Sequence, residues 1–372
     1  MKGKNKAFES VQQPADSVKK TSPFIKFLIF LAVSILIIGI IIFITVDEKT
    51  INALKQINYN YLGLLFLLWA GILITDMLSV YFFSKGANEH LGLWPSFQSN
   101  PIRVLFNLIT PFNAGGPPAM IYYLRSKKIS SGKGSTIIIT KMFMLSAVTM
   151  LYAMIAFYAL FRTFQDTVLL STVFLITGGI FTILIAFGVI SFLYPQFLIT
   201  FTTKIGKKLH SIHLIKDFHT FKKNIIQETA KARRGFKRYF SRHIWYFLAG
   251  TVATAFMHLG RVMLLVVIFK GLGIDIPMAH GIALSAILFF VISFMPTPGG
   301  IGFGEGIFVV LFANYVPMYI IGIAMLLWRI FYQYLSSLLG ALFAAGHISE
   351  LLMSSGEKIP SLNEEIQEDE SS

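Results

Sequence analysis

Long apolar runs separated by short polar segments dominate the pattern along the chain. The first run, Phe24 to Val46, has about 23 residues, and a helix of that length crosses a hydrocarbon core about 30 Å thick. It is too long for the apolar part of a cleavable signal peptide, and no small-residue cleavage site follows it. Further runs predict full membrane spans at residues 60–85, 135–162, 167–194, 244–270 and 317–346. The pattern therefore predicts six spanning helices.

Two other apolar stretches are interrupted by clusters of proline and glycine. Pro101–Leu124 contains the break Thr110–Pro118, and His280–Val316 contains the break Pro296–Gly306. Proline removes a backbone donor and glycine weakens a helix, so each stretch predicts two half-helices around an unwound turn. Such backbone is tolerated at membrane depth only where protein or water satisfies its polar groups. We therefore predict two re-entrant hairpins.

The order of these elements repeats with opposite polarity. Each half, about 24–162 and 167–346, reads span, span, hairpin, span, and both hairpin tips contain Thr-Pro followed by Gly-Gly. Broken helices at matching positions of an inverted repeat indicate a transport site near the bilayer midplane; a chance coincidence of two breaks is the alternative. The predicted fold class is an all-α integral membrane protein, a polytopic bundle with an inverted repeat, six full spans and two re-entrant half-helix hairpins.

Basic residues are concentrated in particular connecting segments. Of 32 Lys and Arg residues, six lie in residues 1–26 and twelve in 195–243. Cytoplasmic loops carry such an excess, so both termini are predicted to be cytoplasmic. The net charge of +14 would also suit a nucleic-acid-binding protein. Little of the chain lies outside apolar runs, however, and phosphate-binding surfaces need exposed folded area, so we predict no nucleic-acid partner.

These boundaries define a simple organisation. A basic N-terminus, 1–23, precedes a transmembrane domain at 24–347, and an acidic tail at 348–372 is predicted to be disordered. The basic loop 195–243 has apolar residues every three or four positions. It predicts an amphipathic helix that either lies on the inner leaflet or packs against the bundle.

Composition excludes several function classes. Only 13% of the residues are charged and 55% are hydrophobic, whereas a soluble domain has about 25% charged residues. The chain has no cysteine, which removes disulfides, thiolate metal sites and cysteine nucleophiles. No nucleotide-binding motif is present, and His210, His213 and His219 lie in the basic loop without a cysteine beside them, so they are not expected to form a metal site. We predict no cofactor, no metal and no enzymatic activity.

Ionisable side chains inside the apolar segments are candidates for function, because each costs about 2.5–3.5 kcal/mol at a helix centre and so usually faces a cavity or a partner. Arginine suits bidentate phosphate contact, so Arg261 and Arg329 are predicted to bind a lipid phosphate; a structural ion pair with Glu305 is the alternative. Asp76 and Lys141 are predicted to serve charge coupling, although Lys141 could instead extend to the membrane surface. Arg103 and Arg125 lie at the ends of the first hairpin.

The hairpin tips offer a second kind of site. Half-helix N-termini after Gly116 and Gly304 would direct free backbone N–H groups at an anion. Nearby polar side chains add to this polarity, with local capping of the broken helices as the alternative. The predicted substrate-binding residues are Asn107, Thr110, Asn113, Gly115, Gly116, Arg125, Arg261, Thr297, Pro298, Gly299, Gly300, Glu305 and Arg329.

Three motifs point to a known family. They are Asn107–Pro111 with the following Gly-Gly and Tyr-Leu-Arg, Pro298–Gly302 with Glu305, and Leu327–Arg329. Together they resemble the membrane region of lysylphosphatidylglycerol synthases, also called multiple peptide resistance factors, over about residues 20–347. The resemblance implies a flippase-like fold in the bacterial plasma membrane that moves aminoacyl-phosphatidylglycerol, or a related phospholipid or isoprenoid phosphate, between leaflets, with a role in antimicrobial peptide resistance.

The resemblance also sets limits. Full-length family members have a soluble C-terminal domain that transfers lysine to phosphatidylglycerol. This sequence ends about 25 residues after its last predicted span, so we expect no lysyltransferase activity. Pro117 and Pro118 replace an expected charged residue, which weakens the case for headgroup contact at the first tip.

Three functions therefore stay open. The first is a lipid flippase, the second is an intramembrane lipid-modifying transferase with Glu305 as base, and the third is a non-catalytic subunit of a separate lipid-modifying enzyme. The expected partners are membrane lipids, either anionic phospholipid or aminoacyl lipid, with a separate enzyme or a homo-oligomer left open.

Overall fold

The computed structural model describes residues 59–164, 194–211 and 244–354, together with isolated positions between 172 and 227. Within these ranges the chain is helical and contains no strand. The helices are α1 Tyr59–Gly86, α2 Leu93–Leu108, α3 Gly116–Ser126, α4 Ser131–Phe164, α5 Pro195–Ser211, α6 Ile244–Gly271, α7 Met278–Ile292, α8 Phe303–Phe312, α9 Met318–Arg329 and α10 Leu335–Ser354.

Four of the described helical segments are long and apolar enough to cross a membrane. They are Tyr59–Gly86, Gly132–Ala159, Ile244–Gly271 and Met318–Gly346, and they confirm the spans predicted at 60–85, 135–162, 244–270 and 317–346. The predicted span 24–46 and the basic N-terminus lie outside the described residues, and 167–194 lies almost entirely outside them. Helix α5 begins the predicted basic loop, most of which is likewise outside the described part.

The last helix is longer than expected. Helix α10 ends at Ser354, beyond residue 347, where the membrane domain was predicted to end and a disordered tail to begin. The physical reason is that Leu351, Leu352 and Met353 are good helix formers, and the first glycine after them is Gly356. The rest of the predicted tail lies outside the described residues.

Both proline- and glycine-rich breaks are turns between half-helices, as predicted. The turn Pro111–Asn113 separates α2 from α3, and the turn Pro298–Gly300 separates α7 from α8. Helix α2 begins at Leu93, earlier than the predicted start at residue 101. The two turns contact each other, and Leu108 and Ile301 form a small apolar cluster between them. Two hairpins that enter a bundle from opposite sides would meet in this way.

Helices α1 and α6 pack at very short distance. A Cβ atom added at Gly250 would lie 2.7 Å from the Phe83 ring, and one added at Gly260 would lie 2.7 Å from Ile72. Because lipid offers no strong hydrophobic driving force, small residues that allow close backbone approach hold membrane helices together. This packing brings Asp76 of α1 into the same region as Arg261 of α6, whose charges interact.

The described apolar core consists of two main clusters. The larger one is built mainly from α6 to α9 and includes Phe269, Phe308 and Trp328. The smaller one joins α1 to α4 around Phe83 and Met120. Asp76 and Lys141 lie on helices of the smaller cluster, and Arg261 lies on α6 of the larger one.

The packing of α10 on α2 leads to a first prediction. The added Cβ of Gly340→Ala would clash with the backbone carbonyl of Pro101, which cannot move aside as a flexible side chain can. We expect this variant to lose about 1–3 kcal/mol of unfolding free energy, measured by thermal unfolding in detergent. The control is Gly346→Ala on the same helix, where nothing lies within 4 Å. Equal melting of the two variants would contradict the close α2–α10 contact.

Candidate functional site

A cavity of about 440 Å³ lies beside the contact between the two hairpin tips. Volumes of this size are usual for sites that bind small organic groups. Both hairpins contribute to its wall, the first through α2 and its turn and the second through the end of α7. Its polar lining consists of Arg103, Asn107, Asn113, Ser146, Thr149, His258, Arg261, Ser293 and Gln333, and its apolar lining includes Phe112, Phe143, Phe289, Phe294 and Tyr332.

Two arginines line this cavity, and neither forms a salt bridge with a carboxylate among the described residues. The Cζ atom of Arg261 lies 5.7 Å from the centroid of the Tyr332 ring, a cation–π contact, and its guanidinium has no hydrogen-bond acceptor among the described side chains and carbonyls. The Nε and Nη2 atoms of Arg103 donate to Oδ1 of Asn100 at 3.1 and 2.6 Å. Since that acceptor is neutral and neither guanidinium forms a described salt bridge, both groups can bind an anion that enters the cavity.

His258 lies one helical turn before Arg261 and also lines the cavity. Its Nδ1 atom lies 3.4 Å from Oγ1 of Thr149, and its ring packs edge to face on Tyr152. Its Nε2 atom is buried and has no partner in the described part of the chain. The α6 wall of the cavity therefore presents an imidazole and a guanidinium on one helix face.

Asp76 and Lys141, predicted to serve charge coupling, form a buried ion pair. The Nζ atom of Lys141 lies 2.8 Å from Oδ1 of Asp76, and the two side chains are 3% and 0% exposed. Lys141 therefore does not extend to the membrane surface, the alternative that its position had left open. Arg103 and Arg261 are close enough to attract the same carboxylate, so one acidic group lies among three basic groups.

Arg329 and Glu305 form a second buried pair, which joins α9 to α8. Arg329 Nε donates to Oε1 of Glu305 at 2.8 Å, and Nη2 lies 2.7 Å from the same oxygen. The remaining N–H groups of Arg329 reach the carbonyls of Gly299 and Gly300, at 2.8 and 3.1 Å, and Oε1 of Gln333. All five guanidinium N–H groups thus have acceptors within the protein, so in this structure none is left for a phosphate.

The backbone around this pair requires unusual local structure. A π-helical segment, Ile330–Tyr334, follows Arg329, and it holds Gln333, whose Nε2 atom donates to the Gly299 carbonyl at 3.0 Å. Gly299 has φ 61° and Gly302 has φ 83°, conformations that favour glycine. A Cβ atom at Gly304 would lie 2.8 Å from Nη2 of Arg329. The second tip is therefore shaped around the Arg329 guanidinium.

The half-helix N-termini are occupied by the chain's own side chains. The N–H groups of Gly115 and Gly116 donate to Oγ1 of Thr110 and Oδ1 of Asn107, at 2.8 and 2.9 Å. In the second hairpin the Gly302 N–H donates to Oε2 of Glu305 at 2.7 Å. Helix α8 begins at Phe303, before the predicted start after Gly304. In the structure these backbone N–H groups are therefore capped by side chains of their own hairpins, which is the alternative to anion binding.

The predicted binding residues thus fall into three groups. Asn107, Asn113 and Arg261 line the cavity. Arg125 lies in the last turn of α3, away from the cavity lining. The others form the turns themselves and the network behind them: Thr110, Gly115, Gly116, Thr297, Pro298, Gly299, Gly300, Glu305 and Arg329. Contact of any of them with substrate stays a prediction.

Several cavity residues were not among the predicted binding residues: Arg103, Ser146, Thr149, His258, Ser293 and Gln333. Helical spacing could have indicated two of them. Arg103 is four residues before Asn107, and His258 is three residues before Arg261, so each pair shares a helix face. In the described ranges no group of three His, Asp or Glu side chains could hold a metal ion.

Comparisons with known proteins agree with this architecture. A family model described as "Lysylphosphatidylglycerol synthase TM region" matches residues 27–340. A curated relative, a UPF0104 membrane protein of Archaeoglobus fulgidus, is 23% identical over 336 residues, which cover 85% of this chain and 95% of the relative. Both hairpins and all the residues that line the cavity lie inside the range that the family model matches.

Proposed function

Because this chain belongs to the family of the lysylphosphatidylglycerol synthase transmembrane region, and is a multi-pass membrane protein, we propose that it is a lipid flippase. The headgroup of a membrane phospholipid passes between leaflets through the cavity beside the hairpin tips, while the acyl chains remain in the bilayer. The observation that supports this proposal most directly is the pair of arginines, Arg103 and Arg261, that line the cavity without a described salt bridge to a carboxylate.

A guanidinium inside a membrane domain is costly unless a cavity, water or an anion compensates it. A phosphate provides the salt bridge that Arg261 lacks among the described residues, because its oxygens accept two parallel hydrogen bonds from one guanidinium. Asn107, Thr149 and Ser293 supply further polar groups to the lining of the same cavity. The cavity thus offers charged and polar groups that can replace water around a polar headgroup while the headgroup crosses the membrane.

The hairpin tips fit this mechanism as rigid elements. The first tip is fixed by the caps from Thr110 and Asn107, and the second by the Arg329 network. In transporters with inverted repeats, access alternates largely by rocking of one repeat against the other. The contact between the tips, at Leu108 and Ile301, is a surface along which such movement occurs in our proposal.

The test is leaflet-resolved movement of acyl-labelled phosphatidylglycerol in proteoliposomes. We expect Arg261→Gln to move it about tenfold more slowly than the wild type, because a lost hydrogen bond to a charged group costs about 1.5–3 kcal/mol. Lys270→Gln is the matched control, since Lys270 is exposed on the same helix and outside the cavity. Thermal unfolding checks that both variants are folded. Equal rates for all three proteins would exclude this cavity as the route.

Two other functions have less support. A transferase with Glu305 as base needs a carboxylate that can reach substrate, but both oxygens of Glu305 are engaged by Arg329 and Gly302, and the residue does not line the cavity. A subunit that docks a separate enzyme would use the basic loop 195–243, of which α5 is the main described part. No described contact favours that role, and it stays a prediction.

A further inference from the structure

We infer that the cavity selects a lipid phosphate with a net negative charge; this inference rests on the proposed function. Such a headgroup is a phosphodiester or phosphomonoester without an amino group. The inference excludes aminoacylated lipid as the preferred substrate and adds Arg103 to the binding residues. It follows from how the charges inside the described helices are paired.

The described charges inside the bundle do not balance. Two acidic groups, Asp76 and Glu305, each have a close basic partner, Lys141 and Arg329 respectively. Two further basic groups remain, Arg103 and Arg261, and neither has a carboxylate of its own. The described interior charges therefore leave a surplus of two positive charges.

Both surplus charges belong to the cavity wall. Arg103 and Arg261 are the two permanently charged residues among the described cavity lining, which contains no aspartate or glutamate. Asp76, which is not among the lining residues, attracts both arginines, but it already contacts Lys141 at 2.8 Å. An anionic phosphate placed between the two guanidinium groups restores the balance that the described residues leave open.

An aminoacyl headgroup carries positive charge and would be repelled by the two arginines of the cavity. A lysyl ester adds ammonium groups to the phosphate, and in a cavity of low dielectric these would be repelled by Arg103 and Arg261. The one tyrosine among the described lining residues, Tyr332, already faces Arg261. The described wall therefore offers a lysyl group neither a carboxylate nor a free cation–π partner at Tyr332.

The experiment compares three acyl-labelled lipids with identical chains in proteoliposomes of the full-length protein. They are phosphatidylglycerol as the phosphodiester, phosphatidic acid as the phosphomonoester, and lysylphosphatidylglycerol. We expect wild type to move at least one anionic lipid about tenfold faster than the lysyl lipid. We expect this preference to shrink in Arg103→Gln and Arg261→Gln and to persist in Lys270→Gln. Movement of the lysyl lipid at an equal or higher rate would overturn the inference.

A binding measurement separates this inference from the proposed function. Short-chain forms of the same three lipids, and inorganic phosphate, are added to detergent-solubilised protein during thermal unfolding. If wild type moves no lipid, the flippase proposal fails. The inference still stands if the anionic lipids raise the melting temperature and Arg103→Gln removes the effect.

Three outcomes of the binding measurement count against the inference. Stabilisation by none of the lipids, or mainly by the lysyl lipid, would overturn the preference for an anionic headgroup. Stabilisation by inorganic phosphate equal to that by short-chain phosphatidic acid would overturn the assignment to a lipid. The relative size of the phosphatidylglycerol and phosphatidic acid effects identifies which phosphate chemistry the two arginines prefer.

Discussion

Arg329→Leu is expected to destabilise the folded protein by about 3–5 kcal/mol, because it leaves the buried carboxylate of Glu305 without its cation. Glu305 is 4% exposed and Arg329 is 0% exposed, so water does not replace the lost contacts. The same change also removes the donors that hold the carbonyls of Gly299 and Gly300. We expect a large drop in melting temperature in detergent and poor recovery of monodisperse protein.

Matched variants identify the cause of this loss. Glu305→Gln keeps the shape of the side chain but removes its charge, and should also be destabilising. Arg329→Lys keeps the charge but not the planar fork, so it should rescue only part of the stability. Combining Arg329→Leu with Glu305→Leu removes both buried charges and should recover much of the loss. If the double variant is as unstable as the losses of Arg329→Leu and Glu305→Leu, measured singly, added together, the pair does not act as a unit.

Asp76→Asn is expected to be the second large loss, about 3–5 kcal/mol, because it leaves Lys141 buried without its carboxylate. The effect is increased by Arg103 and Arg261, which interact with the same carboxylate. Lys141→Met should cost clearly less, because Asp76 then still has two guanidinium groups nearby to compensate it. We therefore expect Asp76→Asn to lose more unfolding free energy than Lys141→Met, although the two residues form one ion pair.

Thermal unfolding of both single variants and of Asp76→Asn with Lys141→Met measures this asymmetry. The double variant should be more stable than Asp76→Asn alone, since it removes one of the three crowded positive charges. Short-chain phosphatidic acid should stabilise Asp76→Asn more than wild type, because it replaces the missing negative charge. Equal losses from the two single variants would show that Arg103 and Arg261 do not compensate Asp76.

Much of the fold is encoded locally and could be predicted from the sequence. Apolar runs long enough to cross a bilayer identified the four spans that the structure describes, because a membrane helix satisfies its backbone hydrogen bonds within its own segment. Proline and glycine identified the two broken helices for the same local reason. The end of the last helix was predicted less well, since residues after 347 still favour helix until Ser354.

The candidate site was only partly predictable. Sequence alone identified the interior charges, because each is conspicuous in an apolar segment. It could not determine which of them neutralise one another, since Arg329 and Arg261 look equivalent in their helices. The structure shows that the five N–H groups of Arg329 contact Glu305, the second hairpin turn and Gln333, whereas Arg261 faces the cavity.

What the sequence determined by itself is therefore the class of protein, the four spans that the structure describes, the two breaks and four of the buried ionisable residues, Asp76, Lys141, Glu305 and Arg329, but not His258. What only the tertiary structure decided is their arrangement: Asp76 pairs with Lys141, Glu305 pairs with Arg329, and Arg103 and Arg261 line one cavity. The physical reason is that hydropathy and helix breaking act over a few neighbouring residues. Charge compensation depends instead on which helices pack together, and residues far apart in the chain then share one low-dielectric environment.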